Sequence, residues 1–338
     1  MSTPCRQPAS SPPLDRLDRE LAVLLADAIP VLDLEDQVRA RELSAERAAR
    51  RNANRRHERE VEVTDCVVSR ATAPDVRLRS YRPTGRGLPL PAVIHFHGGA
   101  FIVGDLETED RDCRETSFQA GCTVLSVDYR LAPENPFPAP VEDGYDVLRW
   151  VEANAEALDI DPTRLAVSGA SAGGCIAACV AMMARDQDGP SLCLQQLIYP
   201  VLDDRLRTTS AQWTGTPMLT SAQLEVMWRA YLGDWPGTDD VSPYAAPARQ
   251  TDLTGLPATY MVLAGLDPLR DEALDFAGRL IDAGVAVELH HYPDAVHGFD
   301  KVGDSALGGR SIRDRNAALA AALAQPSSRL TTVECANG

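Results

Sequence analysis

Lysine is almost absent from this 338-residue chain: of its 33 basic residues, all but Lys301 are arginine. A Schiff-base or Ser-Lys mechanism therefore has a single candidate. No G-x-x-x-x-G-K-[ST] string surrounds that residue, which excludes a phosphate loop of this type. Long apolar runs are missing too. No stretch reaches the roughly 18 residues needed to cross a bilayer, and the opening MSTPCRQPASSPPLD contains no apolar segment of leader length. Cytoplasmic residence without stable membrane association is the expectation. Cysteine numbers eight, with no C-x-x-C spacing, so free thiols are expected in place of a disulfide framework or a zinc site. Net positive charge is lacking as well: 49 acidic residues give −16, which repels phosphate backbones and argues against a nucleic-acid partner. The arginines between Arg39 and Arg56 alternate with Glu42 and Glu46, the pattern of a solvated helix face.

What remains is ordinary globular composition, 44% hydrophobic and 24% charged. Leu14, Leu17, Leu21, Leu24 and Ala28 recur at helical spacing up to Pro30, and a second, charged helix is predicted over Leu34 to Arg56. Short β-rich runs follow: Val61–Val68, Val76–Tyr81, the continuously apolar Ala92–Phe96, Thr123–Val127, Leu165–Ser168, Leu194–Tyr199, Tyr260–Ala264 and Val285–His291. Helical stretches alternate with them, among them Val141–Ala153, Gly173–Arg185 and Asp271–Ala283. Strands without internal alternation, separated by helices, predict an α/β fold with a mostly parallel central sheet covered on both faces. The stretch from Asp203 to Pro257 is long for a connection. It holds a helix with Leu224, Met227, Trp228 and Tyr231 on one face, and reads as a lid packed with the N-terminal helices. The chain accordingly divides into an N-terminal helical cap segment (1–58), a core in two parts (59–202 and 258–325), a cap insertion (203–257) and a flexible tail (326–338).

Chemistry concentrates at four places. Gly169-Ala170-Ser171-Ala172-Gly173 follows a strand and opens a helix of small residues, the context that the G-x-S-x-G elbow requires. Glycines flank the serine because a turn this tight leaves no room for side chains. His97-Gly98-Gly99-Ala100-Phe101 follows the strand Ala92–Phe96, and consecutive glycines there can aim backbone N–H groups over the serine. A metal reading of His95-x-His97 lacks a third ligand at suitable spacing. Asp267 and His297 each follow a late strand, in the order Ser, Asp, His expected of a hydrolase. Asp271 and Glu272 fit better at a helix start, and His290 and His291 lie within a strand.

Together with Asp128-Tyr129-Arg130-Leu131-Ala132-Pro133-Glu134, these motifs resemble the hormone-sensitive-lipase-like branch of bacterial α/β-hydrolase esterases, in order, over residues 14–322. The resemblance implies the α/β-hydrolase fold with a helical cap from the N-terminus and the insertion. It makes Ser171 the nucleophile, His297 the base, Asp267 its orienter, and the N–H groups of Gly99, Ala100 and Ala172 an oxyanion hole. His97, Gly98, Gly169 and Gly173 support these motifs. The family usually has a third glycine at Ala100, whose methyl narrows the adjoining pocket, and Asp or Thr at Ala170. Asp128, Arg130 and Glu134 are expected to form a buried charge network behind the oxyanion strand.

The reading is a serine carboxylesterase that needs no metal or organic cofactor and acts on short to medium acyl esters of small molecules. Phe101, Met218, Leu219 and Trp228 are the candidate pocket residues. A lactonase, amidase or deacetylase could use the same triad. A non-catalytic small-ligand receptor on the same scaffold is the rival from another class, and the presence of His297 argues against it. Dehalogenase and epoxide-hydrolase chemistry would need a carboxylate where Ser171 stands. A homodimer is left open by the resemblance.

Overall fold

A computed structural model describes residues 11–26, 31–53, 57–234 and 236–327. The expected helical positions Ala28, Pro30, Arg55 and Arg56, and the tail beyond residue 327, lie outside the described residues. Two helices lead, α1 (Arg19–Ala26) and α2 (Gln37–Asn52). Leu14 belongs instead to a separate 3-10 turn, Leu14–Arg16, and is exposed. The Asp36 side chain caps α2 by accepting from the Arg39 N–H, so that helix starts three residues later than Leu34.

The core then runs through β1 (Val61–Val68), β2 (Val76–Pro83), β3 (Leu90–Phe96), α3 (Asp110–Ala120), β4 (Thr123–Asp128), α4 (Ala139–Ala153), β5 (Ile160–Ala170), α5 (Ala172–Asp186) and β6 (Leu192–Ile198). After the segment bearing α6 (Ser221–Leu232) come β7 (Ala258–Ala264), α7 (Arg270–Asp282), β8 (Val287–Tyr292) and α8 (Ala306–Leu323). One sheet of eight strands results, in the order β1-β2-β4-β3-β5-β6-β7-β8. The β1/β2 and β2/β4 pairs are antiparallel, and every other neighbouring pair is parallel. This is the α/β-hydrolase fold.

The strands without internal alternation are explained by the two faces they serve. Val93 and Ala166 pack with Cys113 of α3 and Leu319 of α8, while their neighbours Ile94 and Val167 pack with Val147 of α4 and Ile176 of α5. Residues that alternate along a strand thus enter opposite cores, and both cores are apolar. Because β3, β5, β7 and β8 point the same way, the loops after them meet along one edge of the sheet.

On α6, Leu224, Met227, Trp228 and Tyr231 are buried, as the spacing predicted, in a cluster that also holds Leu34 and Ala40. Gln223 of α6 donates to the Leu32 carbonyl, joining the insertion to the N-terminal segment. No helix among the described residues is long and apolar enough to cross a membrane.

Candidate active site

Ser171 stands between the last residue of β5 and the first of α5, with φ 57° and ψ −120°. Such a backbone is costly for a residue with a Cβ and persists only where its surroundings fix it. Here the Ser171 N–H donates to the Ile198 carbonyl, and the Ser171 carbonyl accepts from Val201. The flanking glycines are required by contact: a methyl on Gly169 would lie 2.1 Å from the Gly173 carbonyl oxygen, and one on Gly173 would lie 2.0 Å from that of Phe96. The elbow therefore sits directly against β3, which delivers the loop that follows.

Asp267 and His297 occupy the loops after β7 and β8. His297 Nε2 is 2.9 Å from Ser171 Oγ, and His297 Nδ1 is 2.7 Å from Asp267 Oδ2. Asp267 is 1% exposed, and its other oxygen accepts from the Leu269 N–H at 3.0 Å. Both carboxylate oxygens thus meet N–H donors, which suits an ionised, acceptor-only group. Tyr199 stands edge-on to the imidazole, with centroids 4.8 Å apart. Asp271 lies in the first turn of α7, accepting from the Ser210 N–H, and His290 lies within β8 beside Glu288.

The loop after β3 turns back sharply, with Gly99 at φ 137°, Ala100 at 54° and Phe101 at 61°, and Gly99 accepts from both Ile102 and Val103. This leaves the Gly99 and Ala100 N–H groups without an acceptor among the described residues. Ala172 opens α5, where a first-turn N–H has no intrahelical partner either. His97 is buried, bonds the Gly98 carbonyl through Nδ1 and stacks on Tyr129 at 4.3 Å, while the Tyr129 hydroxyl donates to the His97 carbonyl. Burial pushes the His97 imidazole below its ordinary pKa, favouring the neutral ring. His95 instead engages Glu109. Among the described residues no group of three His, Cys, Asp or Glu side chains is placed to hold a metal ion.

Ser171, His297, Gly98, Gly99 and Ala100 open into a cavity of about 450 Å³, walled by Leu24, Leu32 and Leu34 from the N-terminal segment and by Met218 and Leu219 from the insertion. Two predicted pocket residues do not line it. Phe101 and Trp228 are fully buried, because Phe101 stacks on Tyr231 at 3.9 Å and Trp228 packs against both rings. They form the packing beneath the wall.

The expected network of Asp128, Arg130 and Glu134 does not form either. Asp128 lies 3.7 Å from Arg77, and Arg130 forks onto Asp143 of α4 with its shortest contact at 2.7 Å. Glu134 points outward to Arg41 of α2, whose hydrogen bonds hold its carboxyl down at about 2. The three side chains leave a turn in different directions, so each finds a partner from another element. One residue near the site left no mark in the motifs: Glu109, buried and bonded to the Gly98 N–H at 2.9 Å.

Comparison with known proteins bears on the fold and the family. Residues 93–301 match the family described as alpha/beta hydrolase fold. The sequence is 42% identical to the esterase LipI of Mycobacterium tuberculosis over 62% of this chain, a match spanning just under two thirds (65%) of that protein. It is 39% identical to the carboxylic ester hydrolase LipN of the same organism over 77% of this chain and 70% of that one. A solved bacterial heroin esterase superposes with a TM-score of 0.89 at 39% identity, covering 92% of this chain and 99% of that one.

Proposed function

The chain belongs to the hormone-sensitive-lipase-like branch of the α/β-hydrolase fold family and is a carboxylic-ester hydrolase; from that premise we propose that Ser171, His297 and Asp267 cleave short to medium acyl esters of small molecules through an acyl-enzyme. The continuous chain of hydrogen bonds from Asp267 through His297 to Ser171 carries this reading.

Ser171 Oγ attacks the ester carbonyl while His297 Nε2 takes its proton, and Asp267 keeps the other imidazole nitrogen protonated and aimed. The N–H groups of Gly99, Ala100 and Ala172 receive the charge that develops on the carbonyl oxygen. The proton then passes from His297 to the leaving alcohol, and water releases the acid by the same route. Residues of the N-terminal segment and of the insertion act together as a cap over the bound acyl group, and their leucines and Met218 favour an apolar chain.

The test is covalent labelling combined with an ester series. A fluorophosphonate is expected to attach to Ser171 in the wild type. p-Nitrophenyl acetate, butyrate and hexanoate are expected to turn over at least about tenfold faster than the palmitate. Absence of labelling would favour a ligand-binding protein on the same scaffold, and equal turnover of palmitate would overturn the acyl-length assignment.

A further inference from the structure

Lys301, the chain's one lysine, lies four residues after His297, in the 3-10 turn Phe299–Lys301, and is part of the cavity wall. Its ammonium bonds Glu109 Oε1. Glu109 is the residue before α3, yet its side chain does not cap that helix. Its carboxylate oxygens turn toward β3 and the loop that follows it: Oε1 also accepts the Gly98 N–H at 2.9 Å, and Oε2 meets Nε2 of the β3 residue His95 at 2.6 Å. A methyl placed on Gly98 would touch Glu109 Oε1 at 3.5 Å and Ser171 Cβ at 3.6 Å, so one glycine separates the carboxylate from the nucleophile.

A buried carboxylate at that place has two opposed effects. As an acceptor it fixes Gly98, and through it the backbone that presents the Gly99 and Ala100 N–H groups. As a charge in a medium of low dielectric it opposes the negative charge that develops on the ester oxygen on the other side of Gly98. Burial by itself would push this carboxyl up, but Lys301 and His95 outweigh it and hold the group well below the usual range, so the negative charge is permanent at neutral pH.

Building on the acyl-transfer reading above, we propose that Lys301 is a positioning residue of the esterase, one that neutralises Glu109 so that the carboxylate can anchor the oxyanion loop without repelling the oxyanion. The ammonium acts through Glu109 and takes no proton from substrate. It also ties the loop that carries the base to the loop that carries the oxyanion donors, which are far apart in sequence.

The comparison uses the full chain and p-nitrophenyl butyrate. Lys301→Met is expected to lower kcat about tenfold with KM within about twofold, because the loss falls on the transition state alone. Lys301→Arg, which keeps the charge, retains kcat within about threefold. The deciding variant is Lys301→Met combined with Glu109→Gln. Removing the charge that Lys301 no longer balances, while keeping an oxygen for the Gly98 N–H, brings kcat back to within about threefold of the wild type. The rate of fluorophosphonate labelling follows the same order, since the phosphoryl oxygen occupies the oxyanion position. A purely structural strut would give no such recovery. The proposal is overturned if Lys301→Met keeps wild-type kcat, or if the double variant is no faster than the single one. Should Lys301→Met not fold, Lys301→Gln, alone and with Glu109→Gln, carries the same comparison. Unchanged turnover in Ser171→Ala would instead sink the acyl-transfer reading and leave the Lys301 result without meaning for it, so the two failures are told apart.

Discussion

Ser171→Ala lowers kcat/KM for p-nitrophenyl butyrate by about 10⁵, with the fold intact. The magnitude follows from what one oxygen does. In the proposed mechanism Oγ is the attacking atom, and it is aligned with His297 Nε2 at 2.9 Å, so its loss removes nucleophile and proton transfer together. Expressed as a barrier, 10⁵ is about 7 kcal/mol. Some catalysis survives, because the oxyanion donors and the cavity still bind an ester attacked by water. The fold tolerates the change because the strain at φ 57° belongs to the backbone and is fixed by the Ile198 and Val201 hydrogen bonds, which alanine keeps. The measurement is initial rates on purified protein alongside thermal melting: a midpoint close to the wild type with turnover below about 0.01% supports the assignment. Turnover within tenfold of the wild type, in a folded protein, removes Ser171 as the nucleophile.

The meeting of Ser171, Asp267 and His297 was legible in the sequence wherever local sterics and strand position govern it. Gly169 and Gly173 reveal the elbow because no other residue fits within 2.1 Å of a backbone oxygen. Asp267 and His297 stand out because they follow strands that point to one edge of a parallel sheet, where order along the chain becomes proximity in space. The α6 face was legible for the same kind of reason, its helical period selecting Leu224, Met227, Trp228 and Tyr231. Contacts set by tertiary packing were not. Whether an aromatic residue lines a cavity or lies beneath its wall depends on a partner such as Tyr231, which meets Phe101 from 130 residues further along. Ion pairs are still less legible. Asp128, Arg130 and Glu134 are close in sequence, but a surface carboxylate pairs with any arginine within reach, and α2 brought Arg41 to Glu134. Glu109 was invisible for this reason. Its role depends on Gly98 and Lys301, eleven residues before it and nearly two hundred after, and no short motif records such a meeting. The scarcity of lysine was the only trace, and it marked the residue without naming its partner.

Asp267→Asn is expected to cost kcat about 10⁴ with little change in KM, a larger loss than its nearly unchanged shape suggests. The reason is the second hydrogen bond of the carboxylate. Asp267 accepts at both oxygens, from His297 at 2.7 Å and from the Leu269 N–H at 3.0 Å. An asparagine has one acceptor and one donor to place in those positions. With its oxygen toward His297, its amide hydrogens face the Leu269 N–H, donor against donor in a buried site, so this orientation is disfavoured. With its oxygen toward Leu269, every bond is satisfied, but the amide then donates to His297 Nδ1. The imidazole is driven to carry its proton on Nε2, which points at Ser171 and can no longer accept the serine proton. The substitution thus locks the wrong tautomer, and the more comfortable the asparagine, the more complete the loss. Asp267→Ala provides the contrast. It leaves His297 free to adopt either tautomer and admits water beside Nδ1, so its kcat is expected to be no lower than that of the asparagine variant, although its melting temperature falls further through the cavity left and the unpaired Leu269 N–H. Activity of Asp267→Asn above about 1% of the wild type would show that the amide sits the other way round or that another group orients His297. The ordering of the two variants, activity against stability, separates orientation of the base from mere support of the loop.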